Sequence, residues 1–274
     1  MKKILITAPL RQDADIFEAY QDGLDRLEIP EGYQVSRYFV VNDCPGIRGH
    51  IHGAFVEEVE TGQLYEKTGN DHIWTLDLMW MMGELRNKTV RKALEGGFDY
   101  WFSVDTDIVL QPQTLRTLLE ADKDIVSEIF WTQAPNGRYW CNAWMHDQAQ
   151  GMNEAWRKPG LYQVGMTGAC TLVKRKVFEA GVDYSRIPNI HAALRGEDRH
   201  FCVRAACAGF ELWVDTHCPA THLYTRALYE EYVKGALRSP PVTPSRITPL
   251  NPFARTQKII TAKVRTLAND SAGR

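Results

Sequence analysis

The chain has 274 residues, 44% hydrophobic and 24% charged, which is the balance of a folded domain and not of a disordered chain. Its 32 Lys and Arg against 34 Asp and Glu leave a formal net charge of −2, so no global basic field exists to hold nucleic acid. No stretch approaches the roughly 20 consecutive apolar residues of a membrane span, and the apolar run after Lys2-Lys3 is too short for a signal peptide; a cytoplasmic protein is expected.

Ile4-Leu5-Ile6-Thr7 reads as a first core strand, ended by the loop Ala8-Pro9-Leu10-Arg11. Helical periodicity covers 15–27, and Tyr33 to Val41 extends as a second strand that stops at the turn-rich Asn42-Asp43-Cys44-Pro45-Gly46. A helix is predicted over 76–94, with Leu78, Met82, Leu85 and Leu94 near helical spacing and Gly96-Gly97 at its end. Phe98 to Val104 then forms a buried strand that delivers Asp105-Thr106-Asp107 at its carboxyl end, where open α/β sheets hold their ligands. A helix over 113–121 follows Pro112, and 124–130 is another strand. Residues 131–160, rich in Trp, Asn, Gln, Gly and Met, show no period and read as a long loop or irregular hairpin. Gly165 to Val173 is glycine-punctuated and then strand-like. Residues 197–208 are helical, and Phe210 to Val214 is the last strand.

Strands alternating with helices predict an α/β fold with a mostly parallel sheet. After Tyr224 the texture changes to a proline-rich linker at 239–244 and a basic, polar tail at 255–274. The expected division is one domain over 1–224 and a C-terminal extension over 225–274. The six cysteines form no C-x-x-C pair, so neither a zinc site nor a disulfide framework is expected.

Asp105 and Asp107 are the sharpest chemical feature. Two carboxylates converging on one loop offer hard oxygen ligands that suit Mg²⁺ or Mn²⁺ better than zinc. A divalent ion there would neutralise a diphosphate and help it leave. Two solvated turn aspartates would look the same in isolation.

The segment from Phe98 to Leu110 resembles the metal-binding segment of nucleotide-sugar glycosyltransferases with the GT-A fold. Leu85-Arg86-Asn87-Lys88 is similar to the Arg-Asn helix of that superfamily, and Val164-Gly165-Met166-Thr167-Gly168-Ala169-Cys170 to its glycine-rich loop. Arg195-Gly196-Glu197-Asp198 resembles its Glu-Asp motif, and Trp213-Val214-Asp215 through His222 its closing strand and C-terminal histidine. The matches run in order over residues 1–224. They imply a Rossmann-like mixed sheet flanked by helices and a metal-dependent transfer from a UDP- or GDP-sugar, with Mn²⁺ or Mg²⁺ as cofactor.

The resemblance also implies roles. Asp107 would be the direct metal ligand, Asp105 would touch metal or ribose, and His222 would be the third ligand, with His217 its competitor. Asp198 would be the general base of an inverting transfer, ionised at neutral pH if it keeps the ordinary aspartate pKa of about 3.9. Glu197 would position acceptor or backbone, or simply cap the helix. Pro9, Arg11, Asn42 and Asp43 would hold the nucleoside, Arg86 the diphosphate, and Gly165 and Gly168 would lie near donor and acceptor. Trp131, Trp140, Trp144 and Trp156 would offer an apolar platform, or pack a large loop.

A retaining transfer on the same fold would not need Asp198 as base. Asp105 to Val109 also fits the D-x-D-x-[TV] motif of haloacid-dehalogenase-like phosphatases, but those carry it on their first strand. A nucleotidyltransferase should have glycines after the first strand, where Ala8 to Gln12 has none. A non-catalytic sugar-binding module would not need Asp198 as well as the Asp105/Asp107 pair.

Overall fold

The computed structural model describes residues 1–237 except 64, 66, 69–70, 134–138, 146–153 and 190–194. The proline-rich stretch and the basic tail lie outside the described residues, as do parts of the predicted loop over 131–160. Strand β1 (Lys2–Leu10), helix α1 (Ala14–Asp25), β2 (Tyr33–Asn42) and β3 (Phe55–Val59) open the chain, followed by a small ribbon of β4 (Lys67–Thr68) and β5 (Asp71–His72). Helix α2 (Leu76–Glu95) leads into β6 (Tyr100–Val104), β7 (Ile108–Val109) and α3 (Thr114–Glu120). Then come β8 (Ile125–Gln133), β9 (Tyr139–Cys141), β10 (Ala143–Trp144), β11 (Leu161–Val164), β12 (Met166–Thr167), β13 (Cys170–Lys174) and α4 (Arg175–Glu179). Helix α5 (Glu197–Cys207), β14 (Leu212–His222) and α6 (Arg226–Val233) complete it.

The main sheet runs β11-β14-β8-β13-β6-β1-β2-β3. Strands β6, β1, β2 and β3 are mutually parallel, β8 and β14 are parallel, and β13 runs antiparallel between the two sets. Alternation along β1 sorts its side chains. Ile4, Ile6, Ala8 and Leu10 pack with Phe17, Tyr20 and Leu24 of α1 and Leu115 and Leu118 of α3. Leu5 faces the opposite layer, with Leu85 and Val90 of α2, Val177 and Phe178 of α4, and Phe201, Cys202 and Ala205 of α5. The result is a mixed sheet covered by helices on both faces. Helix α6 belongs to the same compact unit, Met1–Val242, in which Arg226 pairs with Asp13 and Asp15 near the start of α1.

Several elements differ from the sequence reading: β1 runs on through Ala8, Pro9 and Leu10, which read as a loop, and β11 and α4 were not read as elements. The last strand continues from Val214 to His222, so both candidate histidines lie on it and not after it. It pairs in parallel with β8 on either side of its polar middle, at Leu212 to Asp215 and at Ala220 and Thr221, with a register shift between Asp215 and Ala220. Strand β3 went unread because its sequence, Phe-Val-Glu-Glu-Val, is an edge strand with Phe55 67% exposed.

Candidate active site

Parallel strands bring their carboxyl ends to one side of a sheet. Here Pro9 and Arg11 at the end of β1, Asn42 at the end of β2 and Asp105 to Asp107 after β6 line one cleft of about 90 Å³. Gln12, Tyr65, Trp74, Leu78 and Met82 complete its wall. Sequence reasoning missed these five. Leu78 and Met82 read only as apolar helix positions, and Tyr65 and Trp74 stand in a polar segment without a period. The guanidinium of Arg11 lies 5.2 Å from the Tyr65 ring centroid and donates to the Gln63 carbonyl at 3.2 Å. Asp43, expected at the nucleoside, is not among the lining residues, but its Oδ2 lies 4.0 Å from Arg11 Nη1. It adopts φ 49 and accepts from the amides of Thr61 at 2.8 Å and Gly62 at 3.1 Å and from the Thr61 hydroxyl, which fixes the segment leading to Tyr65.

Beside the cleft lies Arg86, only 3% exposed. Its Nη2 donates to both oxygens of Asp105 at 2.8 and 3.2 Å, its Nη1 to Ser103 Oγ at 2.9 Å, and its Nε to Glu197 Oε1 at 3.2 Å. Asp198 Oδ1 stands 3.9 Å from the same Nε. The Arg86 pKa is raised well above its ordinary value: burial opposes the charge, but Asp105, Asp198 and Glu197 outweigh it. A guanidinium so committed is a tie between β6 and α5, a different task from the phosphate contact expected of it. Its helix neighbour Asn87 accepts from the Tyr184 amide at 2.8 Å and donates to Ser185 Oγ at 3.2 Å, fixing the segment under α5.

Close approach of α2 and α5 requires glycine. A Cβ at Gly83 would stand 2.8 Å from the Tyr184 carbonyl oxygen and 3.3 Å from Glu197 Cβ. Gly168 has the corresponding role for the loop, because a Cβ there would collide with the Asp198 carboxylate. Antiparallel pairing of β13 to β6 brings that loop to the site: Cys170 pairs with Val104, and the Asp105 amide donates to the Ala169 carbonyl at 2.9 Å. Gly165 is more remote from the acids and donates its N–H to the Trp144 carbonyl at 2.8 Å.

Three carboxylates around one arginine leave excess negative charge. Burial, reinforced by Glu197 and Asp105 and only partly offset by Arg86 and Arg199, pushes the Asp198 pKa up to about 8. The expectation of an ordinary aspartate, fully ionised at pH 7, therefore fails for Asp198. Burial also raises Asp105, against the pull of Arg86 and with the help of Asp107. A carboxylate tuned toward neutrality suits proton transfer better than one near 4.

Pairing of β14 with β7 sets His222 opposite Ile108, directly after Asp107. His222 Nε2 lies 3.5 Å from Asp107 Oδ2, while its Nδ1 is engaged with Thr132 Oγ1 at 2.6 Å. His217 instead faces Asp215, at 3.0 Å, and is 48% exposed. Of the two histidines, His222 alone adjoins the aspartate pair. Among the described residues no group of three or more His, Cys, Asp and Glu is assembled to hold an ion by itself. The Asp107 carboxylate and the His222 imidazole are donor types that suit a divalent ion, while Asp105 is engaged with Arg86.

The tryptophans divide. Trp156 is 2% exposed and belongs to the core, and Trp140 is 38% exposed. Trp131 and Trp144 are half-buried, with Arg157 and Arg199 stacked on them at 5.2 and 5.3 Å. They do not form one open platform.

No protein-family model matches the chain, and no curated protein matches it. Solved structures do. S. aureus TarS 1–349 in complex with UDP-GlcNAc is similar at 12% identity and TM-score 0.50, over 84% of this chain and 61% of that one. Mannosyltransferase PcManGT from Pyrobaculum calidifontis, in complex with GDP-Man and Mn²⁺, is similar at 14% identity and TM-score 0.50, over 84% of this chain and 59% of that one. The chain thus spans about 60% of the length of these proteins. Among the described residues no helix is long and apolar enough to cross a membrane. The sheet order, the helices on both faces and these likenesses together establish the fold: the chain has the GT-A fold.

Proposed function

We propose that this chain is a metal-dependent glycosyltransferase that moves a sugar from a UDP- or GDP-sugar to an acceptor hydroxyl with inversion. One observation carries the reading: a single buried arginine joins the aspartate turn at the cleft to the Glu197-Asp198 pair. The nucleoside would lie among Pro9, Arg11, Asn42, Tyr65 and Trp74, with the diphosphate over Asp105 and Asp107. Asp107 and His222 would hold Mn²⁺ or Mg²⁺, with Asp105 beside them. When bound, the ion supplies positive charge to the departing diphosphate.

Asp198 accepts the proton as the acceptor oxygen attacks the anomeric carbon. The bond to the diphosphate breaks and its electron pair leaves with the phosphate, after which Asp198 returns its proton to solvent. Glu197 orients Arg86, and Gly168 leaves room for the base. The phosphatase alternative has weaker support, because its nucleophile would be Asp105, whose two oxygens both accept from Arg86.

A screen of UDP- and GDP-sugars for hydrolysis, with Mn²⁺ and with excess chelator, tests this reading. Turnover that requires the metal and falls about 10²-fold or more in Asp107→Ala is the expected result. The Asp107 side chain is 17% exposed on a polar turn, so this variant should remain folded. Full activity in chelator would overturn the metal assignment.

A further inference from the structure

Arg86 lies on α2 and the Glu197-Asp198 pair on α5, so the separation of these helices decides how near Asp198 stands to the guanidinium. Gly83 lets them come close. What limits the approach lies in the segment between α4 and α5. Tyr184 is 2% exposed. Its amide donates to Asn87 Oδ1 of α2 at 2.8 Å, and its carbonyl oxygen is the atom that a Cβ at Gly83 would meet. Its ring stacks on that of Phe201 in α5, with centroids 4.5 Å apart and planes 12° from parallel, and lies tilted against Trp101 of β6 at 5.7 Å. Tyr184 is thus fixed to α2 by its backbone and to α5 by its ring.

Helical spacing makes that contact consequential. Phe201 stands three residues after Asp198 and four after Glu197, so it shares their side of α5. The Arg86 guanidinium lies 5.8 Å from the Tyr184 ring centroid, within the range of a cation–π contact. Its N–H groups bond Glu197, Ser103 and Asp105, while Asp198 stops 3.9 Å from Nε, beyond hydrogen-bond reach. A buried carboxylate and guanidinium attract across such a gap, so something must hold the gap open. The stack of two flat rings beside it is built to do so.

We propose that Tyr184 is a positioning residue for the transfer: its ring, stacked on Phe201 and beside Arg86, keeps the Asp198 carboxylate apart from the guanidinium and so available to the acceptor proton. This rests on the reading of Asp198 as the base. The ring carries the role and the hydroxyl does not ionise in it, because burial and then the charge of Asp198 push the phenol well above its ordinary pKa. The charged and titratable groups that face Asp198 are Arg86 from α2, Glu197 and Arg199 from α5, Asp105 from the turn after β6, and Tyr184 itself.

The test follows Asp198 itself in the full chain, by NMR titration of its carboxyl carbon with the resonance assigned through Asp198→Asn, alongside the kinetics of sugar transfer. Tyr184→Leu keeps apolar bulk but loses the flat stack. Asp198 should then move closer to Arg86 and to water, and both changes favour its ionised form. Its titration midpoint should fall by about one pH unit and kcat by about tenfold, with KM for the donor unchanged. Tyr184→Phe keeps the ring and should match the wild type in midpoint and kcat. Phe201→Leu removes the stack from the α5 side and should reproduce the shift; it decides the matter if Tyr184→Leu does not fold. An unchanged Asp198 midpoint in the leucine variants, or the same losses in Tyr184→Phe, would overturn the proposal. A shifted midpoint in a protein that transfers no sugar would contradict the enzymatic reading alone. Sugar transfer with an unshifted midpoint in the leucine variants would contradict the positioning role alone.

Discussion

The turn after β6 presents Asp105, and the first turn of α5 presents Glu197 and Asp198, to the same guanidinium, yet the two regions differ in chemistry. Asp105 is gripped through both oxygens at 2.8 and 3.2 Å, whereas Asp198 stands off at 3.9 Å. Asp105 and Asp107 line the cleft beside Pro9, Arg11 and Asn42, while Asp198 lies against Gly168. Burial raises the pKa of both aspartates against the pull of Arg86, and that of Asp198 reaches about 8.

Removing the shared cation should break the comparison altogether. Arg86→Ala leaves Asp105, Glu197 and Asp198 facing one another without a counter-charge, and loss of a buried partner of this kind costs about 3–5 kcal/mol. Urea denaturation should show a loss of that size. Arg86→Lys should recover only part, because an ammonium cannot reproduce the fork that spans Asp105, Ser103 and Glu197. A loss below about 1 kcal/mol in Arg86→Ala would mean that the tie is dispensable.

A second variant sharpens the difference between the regions by disturbing only one. Gly168→Ala places a methyl group where the Asp198 carboxylate lies. A displacement of about 1 Å at a reacting group can cost about 10²-fold in rate. Sugar transfer should fall by that order, and nucleotide affinity much less. Equal losses in both would tie Gly168 to the donor instead.

The two regions were also unequally legible. Ile4 to Ile6 and Tyr100 to Phe102 are continuous apolar runs, so the strands and the aspartates at the end of β6 could be placed from sequence. The elements around His222 could not be bounded, because Asp215, Thr216 and His217 break the apolar run. Only pairing with β8 and β7 carries the strand on to the histidine. The type of Asp198 was readable, but its proton affinity was not, since Arg86, Glu197 and Asp105 reach it through space. Likewise Arg86 was found as a functional position, and its task followed only from the groups its five N–H bonds can reach.

A smaller effect comes from a buried acid remote from the transfer chemistry. Glu128, on β8 opposite Asp215 of β14, has its pKa raised well above the ordinary value by burial and then by Asp215. A group whose folded pKa exceeds its unfolded value contributes stability that is fully present below the unfolded pKa and is lost as pH rises through the folded one. Melting temperature should therefore decline with rising pH above the ordinary carboxylate range, and Glu128→Gln should flatten that decline. An unchanged pH slope in Glu128→Gln would show that Glu128 does not set it.

The central claim is that Asp198 is the base, and the pH profile of kcat/KM for sugar transfer tests it most directly. The wild-type rate should rise with pH along a limb at or below about 8, since the carboxyl must lose its proton to act and a bound divalent ion favours the ionised form. Asp198→Asn should be lower by about 10²–10⁴ and should lack that limb. A near-wild-type rate in Asp198→Asn, or the same limb in both proteins, would contradict the assignment.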